Sequence, residues 1–246
     1  MPYGEGTLSW TQAASLTGFC WVTGQEDTIS KFPVERAPTL CDPFVASLPI
    51  TRAAISTLKN PFDAETVCAS DALAAHLDEL QIDLGEGPCW QALSARAPVL
   101  VSDLQHTRSP TWPSLHTAIA QFGIHSVFAF PLFVGELDIG AVDLYADTPQ
   151  LFTTTDVARA SALAAAAAVD VLNQALDRRP AHDGDPAQDG PFSRREVHQA
   201  TGMVIAQMKV SPEDALLLIR ARAFADGRSV RDIASQIVNR EISFPL

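Results

Sequence analysis

The sequence predicts an α+β protein, in which an antiparallel sheet flanked by helices is followed by an all-α bundle of three helices. Three observations carry this prediction. Helix-capping signals recur at even spacing in the last quarter of the chain. Two long apolar segments upstream are separated by a turn signal that is typical of a hairpin. The segments before them alternate between helical and strand-like patterns.

Three serines begin the predicted helices of the bundle. Ser193, Ser211 and Ser229 each stand three residues before an acid, and successive serines are 18 residues apart. A serine hydroxyl accepts a hydrogen bond from an orphan amide of the first turn, where the acid lies at the positive end of the helix dipole. A step of this length holds one short helix and a tight turn, so a compact three-helix module is expected.

The apolar faces of these three helices follow from residues spaced three and four apart. The predicted core positions are Val197, Ala200, Val204 and Met208 in the first helix, Ala215, Leu216, Leu218, Ile219, Ala223 and Phe224 in the second, and Val230, Ile233, Ala234, Ile237 and Val238 in the third. Gly202 interrupts the first helix, which costs about 1 kcal/mol relative to alanine. That cost predicts a close approach by a neighbouring helix or by the backbone of a ligand.

Residues 34–176 predict the order helix, two strands, helix, strand, helix, hairpin and long helix. The first half contains a helix near 37–48, strands at 52–58 and 66–69, and a helix that Ser70 caps and that runs to Leu80. A strand at 98–102 and a helix that starts at Ser109 and Pro110 and contains Trp112 follow. The domain ends with hairpin strands at 126–134 and 139–145, joined through Gly135 and Glu136, and with a helix that Thr153 and Asp156 cap and that runs to about Leu176. This order fits an antiparallel sheet with helices packed on it.

The long helix carries a seam of mostly small residues. They recur every three or four positions and are Val157, Ala160, Ala164, Ala167, Val171 and Gln174. Such a seam lets two helices approach closely, which favours a homodimer through these helices. The alternative is that this face covers the domain's own sheet.

Two segments flank these domains. Residues 1–33 form an N-terminal extension without a clear assignment. Residues 177–191 are polar and rich in proline and glycine, which predicts a flexible linker between a domain at 34–176 and another at 192–246. A flexible linker would transmit a signal by releasing or exposing the bundle.

The bundle carries a sequence pattern that resembles a known family. The matching residues are 199–204, 210–215, 218–220, Ala223 and 232–234. They resemble the ANTAR domain, the RNA-binding output module of bacterial transcription antiterminators. The resemblance implies that a dimer binds RNA hairpins and stops a terminator from forming. The candidate RNA contacts are Arg194, Arg195, Gln199, Thr201, Gly202, Arg220, Arg222, Arg228 and Arg231, with Thr201 standing where many family members carry a lysine.

The preceding domain carries a second, more diffuse resemblance. Residues 83–89, 98–103 and Trp112-Pro113 resemble the GAF sensor domains that are joined to ANTAR modules in actinobacterial regulators. The resemblance implies a fold that senses an unknown small molecule or signal, with Glu86, Cys89 and Trp112 as candidate ligand contacts. The alternative is structural, because the glycines of this segment suit any tight loop and a cysteine is often a buried, inert thiol.

Composition and charge limit the functional classes. The chain has 246 residues, a hydrophobic fraction of 47% and a net charge of −12, which suit a globular protein and argue against one that coats nucleic acid. From Phe192 onward the net charge is +2, which leaves −14 for the first 191 residues. A mildly basic module on an acidic body fits localised RNA contact. No catalytic constellation is evident, so we expect a protein that is not an enzyme.

Cysteine and histidine spacing predicts neither a metal nor another cofactor. Cys20, Cys41, Cys68 and Cys89 match no zinc pattern, and the histidines at 106, 116 and 125 lack the spacing of ligands. The sequence also shows no signal peptide and no apolar segment of the ~20 residues that span a membrane. These features predict a cytoplasmic protein with reduced thiols.

Together these observations predict a signal-responsive antiterminator whose ANTAR-like domain binds RNA hairpins. Two alternatives from other classes stay open. The bundle could bind duplex DNA as a helix-turn-helix variant. The GAF-like domain could be a thiol or redox protein that acts through Cys89.

Overall fold

A computed structural model describes residues 39–59, 61–104, 106–107, 111–177 and 194–244, which all belong to one structural unit, Pro38–Leu246. The predicted N-terminal extension, residues 178–191 of the predicted linker, and the predicted helix starts at Ser109, Pro110 and Ser193 lie outside the described residues. We refer to residues 39–177 as the sheet domain and to residues 194–244 as the bundle.

The sheet domain contains five strands and five α-helices among its described residues, and the bundle contains three helices. In chain order they are α1 (Asp42–Ser47), β1 (Arg52–Thr57), β2 (Glu65–Ala69), α2 (Ala72–Leu84), α3 (Pro88–Ala95), β3 (Val99–Val101), α4 (Pro113–Ile119), β4 (Ser126–Val134), β5 (Leu137–Ala146), α5 (Thr154–Asp177), α6 (Arg195–Met208), α7 (Pro212–Asp226) and α8 (Val230–Val238). A single 3₁₀ turn, Ala120–Phe122, follows α4.

The strands form one antiparallel sheet in the order β2-β1-β5-β4-β3. Alternate residues of a strand point to opposite faces, so Ala53 and Ile55 pack with α1 and α5, whereas Ala54 packs with α2 and α4. The hairpin turn between β4 and β5 places Gly135 at φ 59°, a left-handed conformation that glycine adopts without strain. The predicted sheet with helices on it is confirmed.

Several predicted boundaries in the sheet domain are wrong. The predicted order omitted α3. The first helix is shorter than predicted and spans only Asp42–Ser47. The cap of α2 is Asp71, whose carboxylate accepts from the Ala74 amide, while the Ser70 hydroxyl accepts from the Ala53 amide of β1. The next predicted helix begins only at Pro113, after Trp112.

The small-residue seam of α5 covers the domain's own sheet. Ala160, Ala164, Ala167 and Val171 are buried in the cluster that contains Phe128 and Phe130 of β4. Small side chains allow this helix to approach the sheet closely, so the seam itself cannot serve as a dimer surface.

A disulfide joins Cys41, just before α1, to Cys68 in the edge strand β2, with Cα atoms 6.3 Å apart. The prediction of reduced thiols is therefore wrong for this pair. The two cysteines lie 27 residues apart in sequence, and folding alone brings them together.

In the bundle, the serine caps of α7 and α8 are confirmed, because Ser211 accepts from the Asp214 amide and Ser229 from the Asp232 amide. The predicted core of the three helices is buried or partly buried with one exception. Phe224 is 75% exposed, because it stands at the edge of the stripe that Ile219 and Ala223 define on α7.

Enlarging a seam residue tests the packing of α5. Ala164→Leu is expected to lower the free energy of unfolding by about 1–3 kcal/mol, because the extra methylene groups must enter a filled core. Ala221→Leu on the exposed surface of α7 is the matched control, with an expected change below about 0.5 kcal/mol. Urea denaturation measures both, and equal stabilities for the two variants would contradict the burial of the seam.

Candidate functional site

The candidate RNA-binding residues of the bundle fall into two groups in the structure. Arg194, Arg220 and Arg231 contact the C-terminal half of α2 in the sheet domain. Thr201, Arg222 and Arg228 instead form hydrogen bonds with partners inside the bundle. The first group creates a polar interface between α2 and the bundle, which we call the α2 interface.

Asp83 lies at the centre of the α2 interface. Its Oδ1 accepts from Nη2 of Arg194 at 2.6 Å, and its Oδ2 accepts from the backbone amide of Val230 at 3.0 Å. Val230 is the first residue of α8, where backbone amides are unsatisfied and the helix dipole is positive. One carboxylate thus binds both the residue that precedes α6 and the N-terminus of α8.

Glu79 lies one turn before Asp83 on the same face of α2. Its Oε1 is 3.0 Å from Nε of Arg231 and 3.8 Å from Nη1 of Arg194. The side chain of Arg194 is only 4% exposed. The two acids therefore pair with the buried guanidinium of Arg194 and the half-buried guanidinium of Arg231. Solvent and salt screen ion pairs at such sites much less than on the surface.

Arg220 binds the end of α2 through a different group. Its Nη2 donates to the carbonyl oxygen of Ile82 at 2.9 Å, one of the last carbonyls of the helix, which lack helical partners and carry partial negative charge. Burial is the largest cause that lowers the pKa of Arg220, followed by the charge of Arg194. Gly85, the left-handed residue that ends α2, lies directly beside this guanidinium.

The remaining candidates lie on the surface of the bundle. Arg195, Gln199 and Gly202 are exposed along α6, and the hydroxyl of Thr201 donates to the carbonyl of Val197. Arg222 pairs with Asp226 at 2.6 Å. Arg228 donates to Gln236 at 2.6 Å. This partner is eight residues away in sequence, whereas helical i,i+4 spacing favours Asp232.

Gly202 does not mark close helix packing. Apart from the backbone of its own helix and its two chain neighbours, a Cβ atom at this position would meet no described atom within 4 Å. The predicted approach of a neighbouring helix is therefore wrong within the described residues. The open surface beside Gly202 leaves the ligand backbone as the remaining interpretation.

The three candidate ligand contacts of the sheet domain all have structural partners. Glu86 accepts from the amide of Leu115 in the first turn of α4, and Nε1 of Trp112 donates to Gln91 at 2.9 Å. Cys89 is fully buried, which agrees with its interpretation as a structural thiol rather than a ligand contact. Gly87 has φ 142°, and a Cβ there would lie 2.2 Å from Oε1 of Gln81, so the glycine is required by the loop itself.

The core between α2 and the sheet contains a polar cluster that sequence reasoning missed. Asp78, Gln81, Asp143 and Tyr145 are all buried, and Gln81 donates to the Tyr145 hydroxyl at 3.0 Å. Burial raises the pKa of Asp78 to about 6, despite a hydrogen bond from Thr66. Burial also raises the pKa values of Asp143, Tyr145 and the Cys89 thiol, and the nearby aspartates add to each shift.

Sequence reasoning also missed Glu79 and Asp83, although a signal for them exists. Acids four residues apart repel each other on a helix, and near a C-terminus they oppose the dipole. Two acids at unfavourable positions together indicate that they bind a partner outside the helix. The partners are Arg194 before α6 and the first residues of α8, Val230 and Arg231.

Comparison with known families assigns both parts of the chain. A model of the GAF domain matches residues 37–169, which contain the whole sheet. The chain belongs to the GAF domain family. A model of the ANTAR domain matches residues 191–238, which contain α6, α7 and α8. The protein thus joins a GAF domain to an ANTAR domain, a combination that supports a signal-responsive regulator in general.

The chain is similar to several solved structures at low identity. A GAF domain/HD domain protein from Geobacter sulfurreducens is 17% identical, with 57% of this chain and 92% of that chain covered and a TM-score of 0.44. The GAF domain of a sensor histidine kinase from Bacillus halodurans is 16% identical over 56% and 92%, with a TM-score of 0.43. A type II free methionine-R-sulfoxide reductase from Thermoplasma acidophilum is 18% identical over 54% and 87%, with a TM-score of 0.41.

No curated protein matches the sequence significantly. Among the described residues, no helix has the length and apolar character that crossing a membrane requires, and no group of three or more acidic, cysteine or histidine side chains is arranged to hold a metal ion.

The raised pKa of Asp78 predicts how stability depends on pH. The folded state binds this proton more tightly than the unfolded state, so the stability that the neutral carboxyl provides is present below about pH 4 and is lost as the pH rises through about 6. The loss is on the order of 3 kcal/mol. Asp78→Asn is expected to flatten the profile of unfolding free energy between these values, measured by urea denaturation. Identical slopes for the variant and the wild type would contradict the burial of a titrating carboxyl.

Proposed function

We propose that this protein is a signal-responsive transcription antiterminator of the kind found in actinobacteria, whose ANTAR domain binds RNA hairpins and prevents terminator formation. The GAF domain senses a signal and controls whether the ANTAR domain is available. One observation carries this proposal. Three of the candidate RNA contacts, Arg194, Arg220 and Arg231, are bound by α2 of the GAF domain.

The α2 interface competes with RNA for the same chemical groups. Guanidinium groups fork onto phosphate oxygens and stack on unpaired bases of hairpin loops. Carboxylates bind the same donors in the same geometry. Glu79, Asp83 and the carbonyl of Ile82 therefore occupy the donors that an RNA backbone would use. Docked in this way, the ANTAR domain is inhibited.

The exposed face of α6 supports RNA as the ligand. Arg195, Gln199 and Gly202 are spaced four and three residues apart and lie exposed on one side of the helix. With no side chain at Gly202 and open space around it, a nucleic-acid backbone can approach the helix closely. A DNA-binding function for the bundle is the alternative, and duplex preference in the experiment below would favour it.

Burial argues against the thiol alternative. A thiolate is the reactive form of cysteine, and reactive cysteines are partly exposed in electropositive surroundings. Cys89 is fully buried, and its pKa is raised by burial and by two nearby aspartates. Both effects suppress the thiolate.

Neutralising the two acids of α2 tests the proposed control. The full-length Glu79→Gln/Asp83→Asn variant is expected to bind hairpin RNA about tenfold more tightly than the wild type. The reason is that hydrogen bonds to charged groups contribute about 1.5–3 kcal/mol each and must be broken before RNA binds. Gel-shift titration at near-physiological salt measures both affinities, and the same pair of proteins is compared for transcription through a terminator.

Glu136→Gln is the matched control, because Glu136 is fully exposed on the β4–β5 turn and pairs only with Arg96 among the described residues. Its RNA affinity is expected to equal that of the wild type. Unchanged affinity in the double variant would show that the α2 interface does not limit RNA binding. Preference for duplex DNA, or no nucleic-acid binding by any of the three proteins, would overturn the antiterminator proposal.

We further propose that the protein forms a homodimer through the GAF-flanking helix α5, using the face opposite to its buried seam. That face exposes Ala162, Ala165, Ala166 and Val169, and Val169 is 47% exposed. Small and apolar residues at this spacing allow two helices to pack closely.

A charge in the centre of this face tests the dimer. Val169→Glu is expected to convert a dimer into a monomer in sedimentation equilibrium, because the glutamates of both copies would be buried together. Gln174→Glu, at an exposed position of the predicted seam, is expected to leave the dimer intact. A monomeric wild type, or a dimer that survives Val169→Glu, would contradict the proposal.

A further inference from the structure

A cavity of about 660 Å³ lies between the GAF and ANTAR domains, beside the α2 interface. Helices α2 and α4 form one wall, and α7 with the turn into α8 forms the other. Ligand sites of proteins typically have volumes of about 300–1,000 Å³ and lie preferentially at domain interfaces. The polar core cluster of the GAF domain is separate, because Asp78 and Gln81 do not line this cavity.

The walls of the cavity are largely apolar. Leu80 and Leu84 of α2, Pro113 and Ala118 of α4, and Phe224 of α7 contribute to them. Phe224 is 75% exposed although it belongs to the apolar side of α7. An aromatic ring kept at the rim of an apolar cavity is suited to cover the apolar body of a ligand.

The charges around the cavity favour an anion. Its lining carries Glu79 and Asp83 together with Arg220 and Arg228. The two acids are already paired with Arg194 and Arg231, so the six groups together carry an excess of two positive charges. Arg228 is exposed and uses one of its five donors on Gln236. A negatively charged group at this end of the cavity would be attracted rather than repelled.

We propose that this cavity binds an amphipathic organic anion, a molecule with an apolar body and one anionic head, and that the ligand holds the ANTAR domain docked. Both domains line the cavity, so a ligand there contacts them together only in the docked state. A ligand that binds one of two states shifts the population toward that state. The ligand therefore switches RNA binding off. This second step rests on the proposed function, whereas binding in the cavity does not.

The dye anilinonaphthalene sulfonate (ANS), an aromatic body with one sulfonate, is the probe for the binding step. Titration of the full chain is expected to give one saturable site by fluorescence. Ala118→Trp places an indole ring in the cavity beside the apolar wall and is expected to weaken binding at least about tenfold. Phe224→Ala, which alters an exposed side chain and so spares the fold, is expected to weaken binding about threefold to tenfold.

Leu217→Ala is the matched control, because Leu217 is a 62% exposed residue of the same helix α7 that does not line the cavity. Its affinity for ANS is expected to stay within about twofold of the wild type. Non-saturable binding, or equal affinity for the wild type, Ala118→Trp and Phe224→Ala, would overturn the site.

Hydrogen exchange tests docking without RNA. Saturating ANS is expected to slow the exchange of amides in α2 and of the Val230 amide about tenfold in the wild type and to leave them unchanged in Ala118→Trp. ANS is then expected to weaken hairpin binding by the wild type and not by Ala118→Trp. Binding of ANS without slower exchange would overturn the docking step. Slower exchange in a protein that binds no hairpin would support the cavity and the docking while refuting the proposed function.

Discussion

The carboxylate of Asp83 is the interaction on which the arrangement of the two domains depends. It accepts from Arg194 just before α6 and from the first amide of α8, so one side chain fixes the N-termini of two ANTAR helices at the C-terminal end of one GAF helix. Helix ends of opposite partial charge are thereby brought together. Glu79 and Asp83 are unfavourable to α2 alone and become favourable only when the bundle docks. Docking and the stability of the last turn of α2 are therefore coupled.

The energetics of the α2 interface suit a contact that must open. A buried ion pair gains little net free energy, because desolvation offsets most of the attraction. Within the described residues, Nη1 of Arg194 and Nε of Arg220 are buried and make no hydrogen bond, which lowers the net gain further. Loss of a single partner would nevertheless leave a buried charge uncompensated. The interface is consequently specific without being strong, and small changes in one partner suffice to release it.

The local features of the fold were predictable from the sequence, because their causes lie within a few residues. The serine caps of α7 and α8, the hairpin turn at Gly135, and the exchange of hydrogen bonds between Thr153 and Asp156 at the start of α5 are of this kind. Each satisfies backbone groups that any helix or hairpin exposes. Periodicity likewise located most of the buried positions of the bundle.

Features that depend on a tertiary partner were not predictable in the same way. The apolar pattern of α5 does not reveal whether a sheet or a second helix covers this face. Periodicity also predicted that Phe224 is in the core of the bundle, whereas its side chain is exposed. The pairing of Cys41 with Cys68 and the partners of Arg194 and Arg220 follow from the docking of distant segments. Sequence reasoning therefore named the arginines as candidate RNA contacts but could not show that the GAF domain binds three of them.

Helix α2 physically connects the interior of the GAF domain to the ANTAR arginines. Asp78 and Gln81 face the polar core, where they bind Thr66 and Tyr145, while Glu79 and Asp83 face the bundle. Helix shifts of about 1–2 Å are common in switching transitions. The contacts of Asp83 and Arg220 with their partners are 2.6–3.0 Å long, so a shift of that size would take them beyond hydrogen-bonding distance. A rigid shift of α2 would move the groups on both of its faces together, so a change in the polar core of the GAF domain would reach Glu79 and Asp83 through this one helix.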